Sequence, residues 1–257
     1  MEWRAPIYRV YARRLARGLD PSRLPGHIGV ILDGHRRFAR AEGFDGYTES
    51  YRTGMAKLAE LIEWCADFDI PVVTAWVLST DNLNRPAAEL EPYFEVLIDL
   101  LDRLPEVASS LGFSFRVIGS LDLLPAPLAL AAKRAEERIG PGRFVVNLAL
   151  GYGGRQEVVD ACRLLVADLL VEEPDDPASI PERIDAEGIA AHLYIGDLPD
   201  PDLVIRTSGE ARLSGFLLWQ AAYAECAFVD PYWPAFRRVD FLRALREYGR
   251  RDRRFGR

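Results

Sequence analysis

The stretch His27-Ile-Gly-Val-Ile-Leu-Asp33-Gly34-His35-Arg36-Arg37-Phe38-Ala39-Arg40 decides the fold of this chain. The residues before Asp33 are apolar or small and include β-branched members, the pattern of a buried strand. The run ends in an acid and a glycine, and a helical pattern begins at once. Asp33 therefore stands where a strand meets a helix N-terminus, beside unpaired backbone N–H groups and two arginines. Such N–H groups and the helix dipole attract anions, so the junction has the chemistry to hold a phosphate through a metal. An N-capping Asp among solvated arginines is the simpler alternative.

Outward from this junction, strands and helices alternate. Residues 51–66 read as a helix and Pro71–Ser79 as a second buried strand. Pro86 opens a further helix, where Leu90, Tyr93, Phe94, Val96, Leu97, Leu100 and Leu101 cover more than one face. Phe113–Ile118 and Phe144–Leu150 read as strands, with helices near 122–138 and 154–170. A surface loop over 171–186, a strand at Leu203–Arg206, an irregular stretch and a helix near 239–252 complete the chain. Residues 1–24 form an amphipathic helical segment with Ile7, Val10, Tyr11 and Leu15 on one face. The order predicts an α/β fold in one domain over 1–257, with a mainly parallel central sheet flanked by helices on both faces. Ligands of such folds collect beyond the carboxyl ends of the strands. Three of those ends are polar: Asp33, Ser79-Thr80-Asp81-Asn82 and Arg206-Thr207-Ser208-Gly209-Glu210. They should converge on one rim.

Apolar residues make up 49% of the 257 and charged residues 28%, the balance of a globular protein in water. No apolar run approaches the roughly 20 residues that span a bilayer, and the N-terminus lacks the apolar core of a secretory signal. Cys65, Cys162 and Cys226 lie far apart in apolar segments and read as reduced thiols of a cytoplasmic protein. The net charge is −7, yet both ends are basic. Residues 1–24 hold six Arg against Glu2 and Asp20, and residues 237–257 hold nine against Asp240, Glu247 and Asp252. These ends suit a peripheral contact with anionic lipid, although a solvated or ion-paired helix face is the simpler account. Nothing in the chain points to nucleic acid.

Ile205-Arg206-Thr-Ser-Gly209-Glu210-Ala-Arg212-Leu-Ser214-Gly215 gathers two arginines, three hydroxyls and a carboxylate around two glycines. Arginines so spaced can grip a phosphate group in a bidentate manner; an Arg206–Glu210 loop ion pair is the alternative. Glu225 lies in an apolar setting and needs a partner, metal or arginine, because an unpaired buried charge is costly. Familiar sites are excluded. The chain has no G-x-x-x-x-G-K-[ST] phosphate loop, no D-D-x-x-D helix and no G-x-S-x-G elbow. Gly151-Tyr-Gly153-Gly154 lacks the third dinucleotide-type glycine, and His27, His35 and His192 show no zinc spacing.

Four motifs in order resemble the cis-prenyl diphosphate synthases of the undecaprenyl diphosphate synthase type, from about His27 to Phe255. H-I-G-V-I-L-D-G-H-R-R-F-A (27–39) is similar to the family's H-x-A-x-I-M-D-G-N-x-R-W-A. L-S-T-D-N-L-N-R-P (78–86) is similar to F-S-x-E-N-W-x-R-P, and G-Y-G-G-R (151–155) to N-Y-G-G-R. The fourth, D-L-V-I-R-T-S-G-E-A-R-L-S-G-F-L-L-W-Q-A-A-Y-A-E (202–225), agrees at nearly every marked position. The resemblance implies a Mg²⁺-dependent homodimeric enzyme that condenses an allylic diphosphate (dimethylallyl, geranyl or farnesyl) with isopentenyl diphosphate, forming a Z double bond. It implies that Asp33 carries the metal with His35 beside it, and that Gly34, Arg36, Arg37 and Phe38 cradle the allylic diphosphate. Arg206, Arg212 and Ser214 would hold isopentenyl diphosphate, with Glu225 on its metal. Ser79, Asn82 and Arg85 would belong to a loop that closes over both substrates.

The chain departs from the pattern at His35 (usually Asn), Phe38 (usually Trp), Gly151 (usually Asn) and Tyr51 (usually His). The loop after Gly43 also lacks the usual Arg. His35 can hydrogen-bond as Asn does and can also titrate. An irregular or other-acceptor prenyltransferase, a longer-chain synthase and a non-catalytic partner subunit are the competing readings. The family's growing chain enters a tunnel between the sheet and two helices, here 51–66 and 86–103. Trp76 and Val77 on the strand and Tyr93, Phe94 and Leu97 on the helix are bulky for that position. They predict a short product of about fifteen carbons, because overpacking a filled wall costs roughly 1–3 kcal/mol.

Overall fold

The computed structural model describes residues 5–172, 174 and 176–251, with the backbone alone at 5–7. The readings of Glu2, Arg4 and residues 252–257, and of the side chain of Ile7, lie outside these residues. Six described strands form one sheet: β1 (His27–Ile31), β2 (Val72–Ser79), β3 (Phe113–Ile118), β4 (Phe144–Tyr152), β5 (Leu203–Arg206) and β6 (Glu225–Phe228). Their order is β3-β4-β2-β1-β5-β6, and every neighbouring pair is parallel. The described helices are α1 (Ala5–Arg17), α2 (His35–Glu42), α3 (Thr48–Asp67), α4 (Ala87–Leu111), α5 (Ala126–Arg138), α6 (Gly154–Glu172), α7 (Ile180–Arg183), α8 (Ala186–Ala191) and α9 (Arg238–Arg250).

Parallel strands need helical crossovers that cover both faces, which is why β1 and β5 are buried at every residue. On one face Ile28, Val30, Val73, Ala75 and Val77 pack against Leu58 and Ile62 of α3, Leu97 and Leu101 of α4, and Phe241 of α9. On the other, Ile31, Ala149 and Val204 pack against Ile195, Phe216, Leu217 and Ala221. Each Val, Leu, Ile or Phe side chain among these contributes about 1.5–3 kcal/mol by leaving water. Two polar groups within that second face share one hydroxyl: His27 Nε2 meets Thr74 Oγ1 at 2.8 Å, and the Asn147 amide donates to the same oxygen at 3.0 Å.

The sheet holds one irregularity that matters for the site. The pairing of β2 with β4 slips between Trp76 and Leu78 and again before Ser79. Such a bulge breaks the ladder and leaves backbone groups for other partners.

Several expectations change. β6 was missed inside the stretch read as irregular. The loop over 171–186 contains the end of α6, a 3₁₀ turn at Pro177–Ser179, and α7. On α1, Leu15 and Tyr11 pack against Val239 and Leu242 of α9, whereas Val10 is exposed. Basic residues of the C-terminal segment are ion-paired, Arg237 and Arg243 with Asp240, and Arg250 with Glu247. These contacts favour the ion-paired account of the C-terminal basic segment. All three cysteines are free thiols. No described helix is long and apolar enough to cross a membrane.

Candidate active site

The carboxyl ends of β1, β2 and β5 open on one cavity of about 590 Å³. Asp33 follows β1, and its carboxylate bridges two arginines. Arg206, at the end of β5, donates from Nη2 to Asp33 Oδ2 at 2.8 Å, and Arg37 on α2 donates to Oδ1 at 3.3 Å. Burial pushes the Asp33 carboxyl up, but hydrogen bonds from Arg206 and Ser208 and the charges of Arg206 and Arg37 outweigh it, leaving the group below its ordinary range. The Asp33 backbone is fixed as well: its N–H donates to Thr207 Oγ1 at 3.0 Å, and that hydroxyl donates to the Asp33 carbonyl at 2.7 Å.

Gly34 links Asp33 to α2 with φ of 113°, and a Cβ there would lie 2.8 Å from the Tyr232 ring. Only glycine meets both demands. It starts α2 without a side-chain cap, so the first amides of the helix stay available to an anion. Arg206 is held rigid from the other side. Its Nη1 donates to the Arg212 carbonyl at 2.5 Å and to Ser214 Oγ at 2.8 Å, while its Nε has no partner among the described residues. Six arginines (36, 37, 40, 85, 206 and 212) line the cavity against the carboxylates of Asp33, Asp81 and Glu210. Such a surplus of planar donors suits multiply charged oxyanions.

The other end of the cavity is aromatic. The rings of Tyr51 (α3) and Tyr93 (α4) lie 4.3 Å apart, and the Tyr93 hydroxyl donates to the carbonyl of Val77 at 2.6 Å, inside the β2 bulge. The Tyr51 hydroxyl donates to Glu89 at 3.3 Å; Glu89 also pairs with Arg85 at 3.2 Å and Arg36 at 3.7 Å. His35 sits against both tyrosines, at 5.3 and 6.3 Å between ring centres. Its Nδ1–H donates to the Ser50 carbonyl at 3.1 Å, which leaves Nε2 as a bare acceptor with no described partner. Burial pushes the His35 pKa down to about 4, so the ring is neutral near pH 7. The space it occupies exists because residue 54 is glycine: a Cβ there would fall 2.0 Å from His35 Cε1.

Comparison with known proteins decides what this site belongs to. The prenyltransferase family model, described as undecaprenyl diphosphate synthase, matches residues 31–256. The chain belongs to the undecaprenyl diphosphate synthase family. As a member of it, the protein is a prenyltransferase. Among its relatives is a (2Z,6E)-farnesyl diphosphate synthase of Thermobifida fusca, 51% identical over 259 residues and 98% of each chain. A short-chain Z-isoprenyl diphosphate synthase of Mycobacterium leprae is 47% identical over 98% of this chain and 96% of its own. Among solved structures, lavandulyl diphosphate synthase from Lavandula x intermedia in complex with dimethylallyl diphosphate superposes with a TM-score of 0.83. It is 33% identical and covers 92% of this chain and 100% of its own.

Within this prenyltransferase, most residues singled out from sequence meet at the cavity: Asp33, Gly34, His35, Arg36, Arg37, Trp76, Val77, Ser79, Asn82, Tyr93, Arg85, Arg206, Arg212 and Ser214 all line it. Ser79 and Asn82 cap each other reciprocally across a 3₁₀ turn, Thr80–Asn84, which presents both at the rim. Glu225 does not join them. It begins β6 opposite Leu203, at the amino end of the sheet, whereas Asp33 follows the carboxyl end of β1. Its partner is Arg251, so within one copy of the chain it shares no metal with Asp33.

Phe38 also turns away, packing edge-on against Phe44 at 5.9 Å. Trp76 is on the face opposite α3 and α4, stacked on Phe216 at 5.3 Å, because successive residues of a strand point to opposite faces. Phe94 and Leu97 pack in the core beyond the tyrosine pair and do not line the cavity. His35, which unlike Asn is able to titrate, is held neutral near pH 7 by its burial. Sequence reading missed Tyr51 and Glu89 as a connected pair. The i,i+4 spacing of Arg85 and Glu89 on either side of Pro86 was the one available signal.

Proposed function

We propose that this cavity makes a short-chain Z-prenyl diphosphate by joining an allylic diphosphate (dimethylallyl, geranyl or farnesyl) to isopentenyl diphosphate. One observation carries the reading: an arginine-lined mouth runs into an apolar end that the Tyr51–Tyr93 pair closes. The names of the Thermobifida and Mycobacterium relatives support it.

In this reading Arg36, Arg37 and the first amides of α2 hold the allylic diphosphate, where donors aimed at its bridging and terminal oxygens favour the charge that develops as the C–O bond breaks. Arg206, Arg212 and Ser214 hold isopentenyl diphosphate, whose terminal carbon forms the new C–C bond as one proton is released. His35 stays neutral and orients Tyr51 and Tyr93 rather than moving a proton. Asn82, Ser79 and Arg85 cover the mouth and exclude water. Mg²⁺ suits this donor set. It commonly binds through one or two carboxylates and phosphate oxygens, and Asp33 places one half-buried carboxylate at the arginine-lined mouth, with no cluster of three metal-ligating side chains among the described residues. When bound, the ion supplies Lewis-acid stabilisation to the departing diphosphate. The reading includes a cytoplasmic homodimer; β6 at the sheet edge, with exposed Tyr223 just before it and exposed Phe228 at its end, offers a rim that no further described strand pairs with.

The test is incubation with isopentenyl diphosphate and each allylic donor, followed by chromatography of the dephosphorylated products. The expected main species has about fifteen carbons, because a filled wall resists further methylenes. A main species of about fifty carbons or more would overturn the short-chain reading. Absence of any incorporation would overturn the reaction itself.

A further inference from the structure

Independently of the function proposed above, we infer that the outward face of α1 is a docking surface for an anionic membrane, with Val10 entering the headgroup layer. Helix α1 carries four arginines, at 9, 13, 14 and 17, and no acid. At 3.6 residues per turn, Arg9, Arg13 and Arg17 follow one another along one line over about 12 Å, with Val10 and Arg14 beside them. The opposite side of the helix is already engaged. Leu15 is buried there, and Tyr11, Ala12 and Ala16 pack with it against Val239 and Leu242 of α9. This contact fixes the helix with its basic arc facing away from the protein. All four arginines are exposed, and so is Val10, at 66%.

The described residues do not neutralise this arc. Acids on the segments around it are committed elsewhere: Asp240 to Arg237 and Arg243, Glu247 to Arg246 and Arg250, Asp67 to Arg238, and Asp20 to Ser22 of its own turn. The arginines of α9 that reach α1 meet rings, Arg237 over Tyr8 at 4.9 Å and Arg243 over Tyr11 at 5.4 Å. No hydrogen bond or ion pair holds Arg9, Arg13, Arg14 or Arg17 among the described residues. Helix stability does not account for them. Arg14 and Arg17 suit the last turn, but Arg9 and Arg13 precede it, and like charges at i,i+4 repel. The whole chain carries −7, so the arc is a local reversal of sign. Val10 sets the kind of partner. An apolar side chain among cations lodges at the boundary of headgroups and acyl chains, where arginines keep their guanidinium groups at the phosphates. An anionic lipid surface meets both demands at once.

Sedimentation of the full chain with sucrose-loaded vesicles tests this, using phosphatidylcholine alone and an equal mixture of phosphatidylcholine and phosphatidylglycerol. Wild type should bind the mixed vesicles at low salt, ignore the neutral ones, and lose most of its binding at about 0.5 M salt. Arg9→Gln, Arg13→Gln and Arg17→Gln combined should weaken binding to mixed vesicles about a hundredfold, at about fivefold per arginine. Glutamine is a good helix former, and circular dichroism with a melting curve checks that the fold is kept. Val10→Ser leaves every charge in place and should weaken the same binding about threefold or more. If the triple variant does not fold, Arg13→Gln alone, at about fivefold, and the salt dependence decide. Equal binding to both kinds of vesicle, binding to neither, or binding untouched by the arginine substitutions overturns the docking surface. Self-association that the triple variant abolishes, without vesicle binding, would make a second copy the occupant and overturn it too. Wild-type affinity in Val10→Ser overturns the entry of Val10.

Discussion

The Tyr93 hydroxyl donates a 2.6 Å hydrogen bond to the carbonyl of Val77, and the pairing slip in β2 surrounds that carbonyl. A bulge in the sheet and a phenol on α4 thus close the apolar end of the cavity together. Tyr51 lies on Tyr93 at 4.3 Å and thickens the closure. Substituting either ring or the β2 side chain should therefore change what the cavity admits. Tyr93→Ala and Val77→Ala should lengthen the main product by at least one isoprene unit, read by chromatography after dephosphorylation. An unchanged product from both would mean that the chain grows elsewhere.

Asp33→Ala should lower turnover by about a hundredfold or more, because the site loses the carboxylate that fits a metal beside the leaving diphosphate. The fold should survive: Asp33 is half-buried, and its backbone remains tied to Thr207. Circular dichroism and a melting curve check the fold, and turnover within about tenfold of wild type would remove Asp33 from the mechanism.

Arg206→Ala and Arg212→Ala should differ in kind. Arg206 is buried and bonded to Asp33, Ser214 and the Arg212 carbonyl, whereas Arg212 is exposed and pairs with Glu210. Both should raise KM for isopentenyl diphosphate, at a cost of about 2–4 kcal/mol when the anionic partner stays. Only Arg206→Ala should also lower the midpoint of urea unfolding, since it leaves Asp33 and Ser214 with lost partners.

Acid should destabilise this protein through two histidines. Burial holds His35 and His27 at pKa values of about 4 in the fold, against about 6.5 in the unfolded chain. Between those values the unfolded chain binds more protons, so stability is complete above pH 6.5 and falls as the pH drops toward 4. Urea unfolding at pH 7.5 and pH 5 measures this. His35→Asn should lose less stability across that interval than wild type; an equal loss would mean that His35 is already charged in the fold.

Gly54→Ala should act at a distance from the charges. Its Cβ would meet the His35 ring at 2.0 Å, so the ring must move or the helix must shift. The expected loss is about 1–3 kcal/mol in unfolding free energy. A change in product distribution should accompany it, because His35 rests on Tyr51 and Tyr93.

The strand ending at Asp33, the parallel sheet and the polar rim were legible because burial on both faces leaves continuous apolar runs with chemistry at their carboxyl ends. The same property hid other features. In β2, Trp76 and Val77 are both apolar, so nothing in the pattern told which face each takes; the bulge that frees the Val77 carbonyl has no sequence marker. Glu225 was legible as an acid in need of a partner, and Arg251 is that partner. Its end of the sheet was not legible, because β6 is four half-exposed residues without alternation. The pairing of Tyr51 with Tyr93 depends on how α3 and α4 cross, which local patterning does not encode.

Head and tail of the cavity are contributed by different parts of the chain. The charged groups come mainly from the turns after β1, β2 and β5, and the closing aromatics from the interior faces of α3 and α4. Selection can therefore rewrite the tail end through one or two helix positions without rebuilding the ionic machinery. On this architecture, a change of product size is a short evolutionary step and a change of reaction a long one.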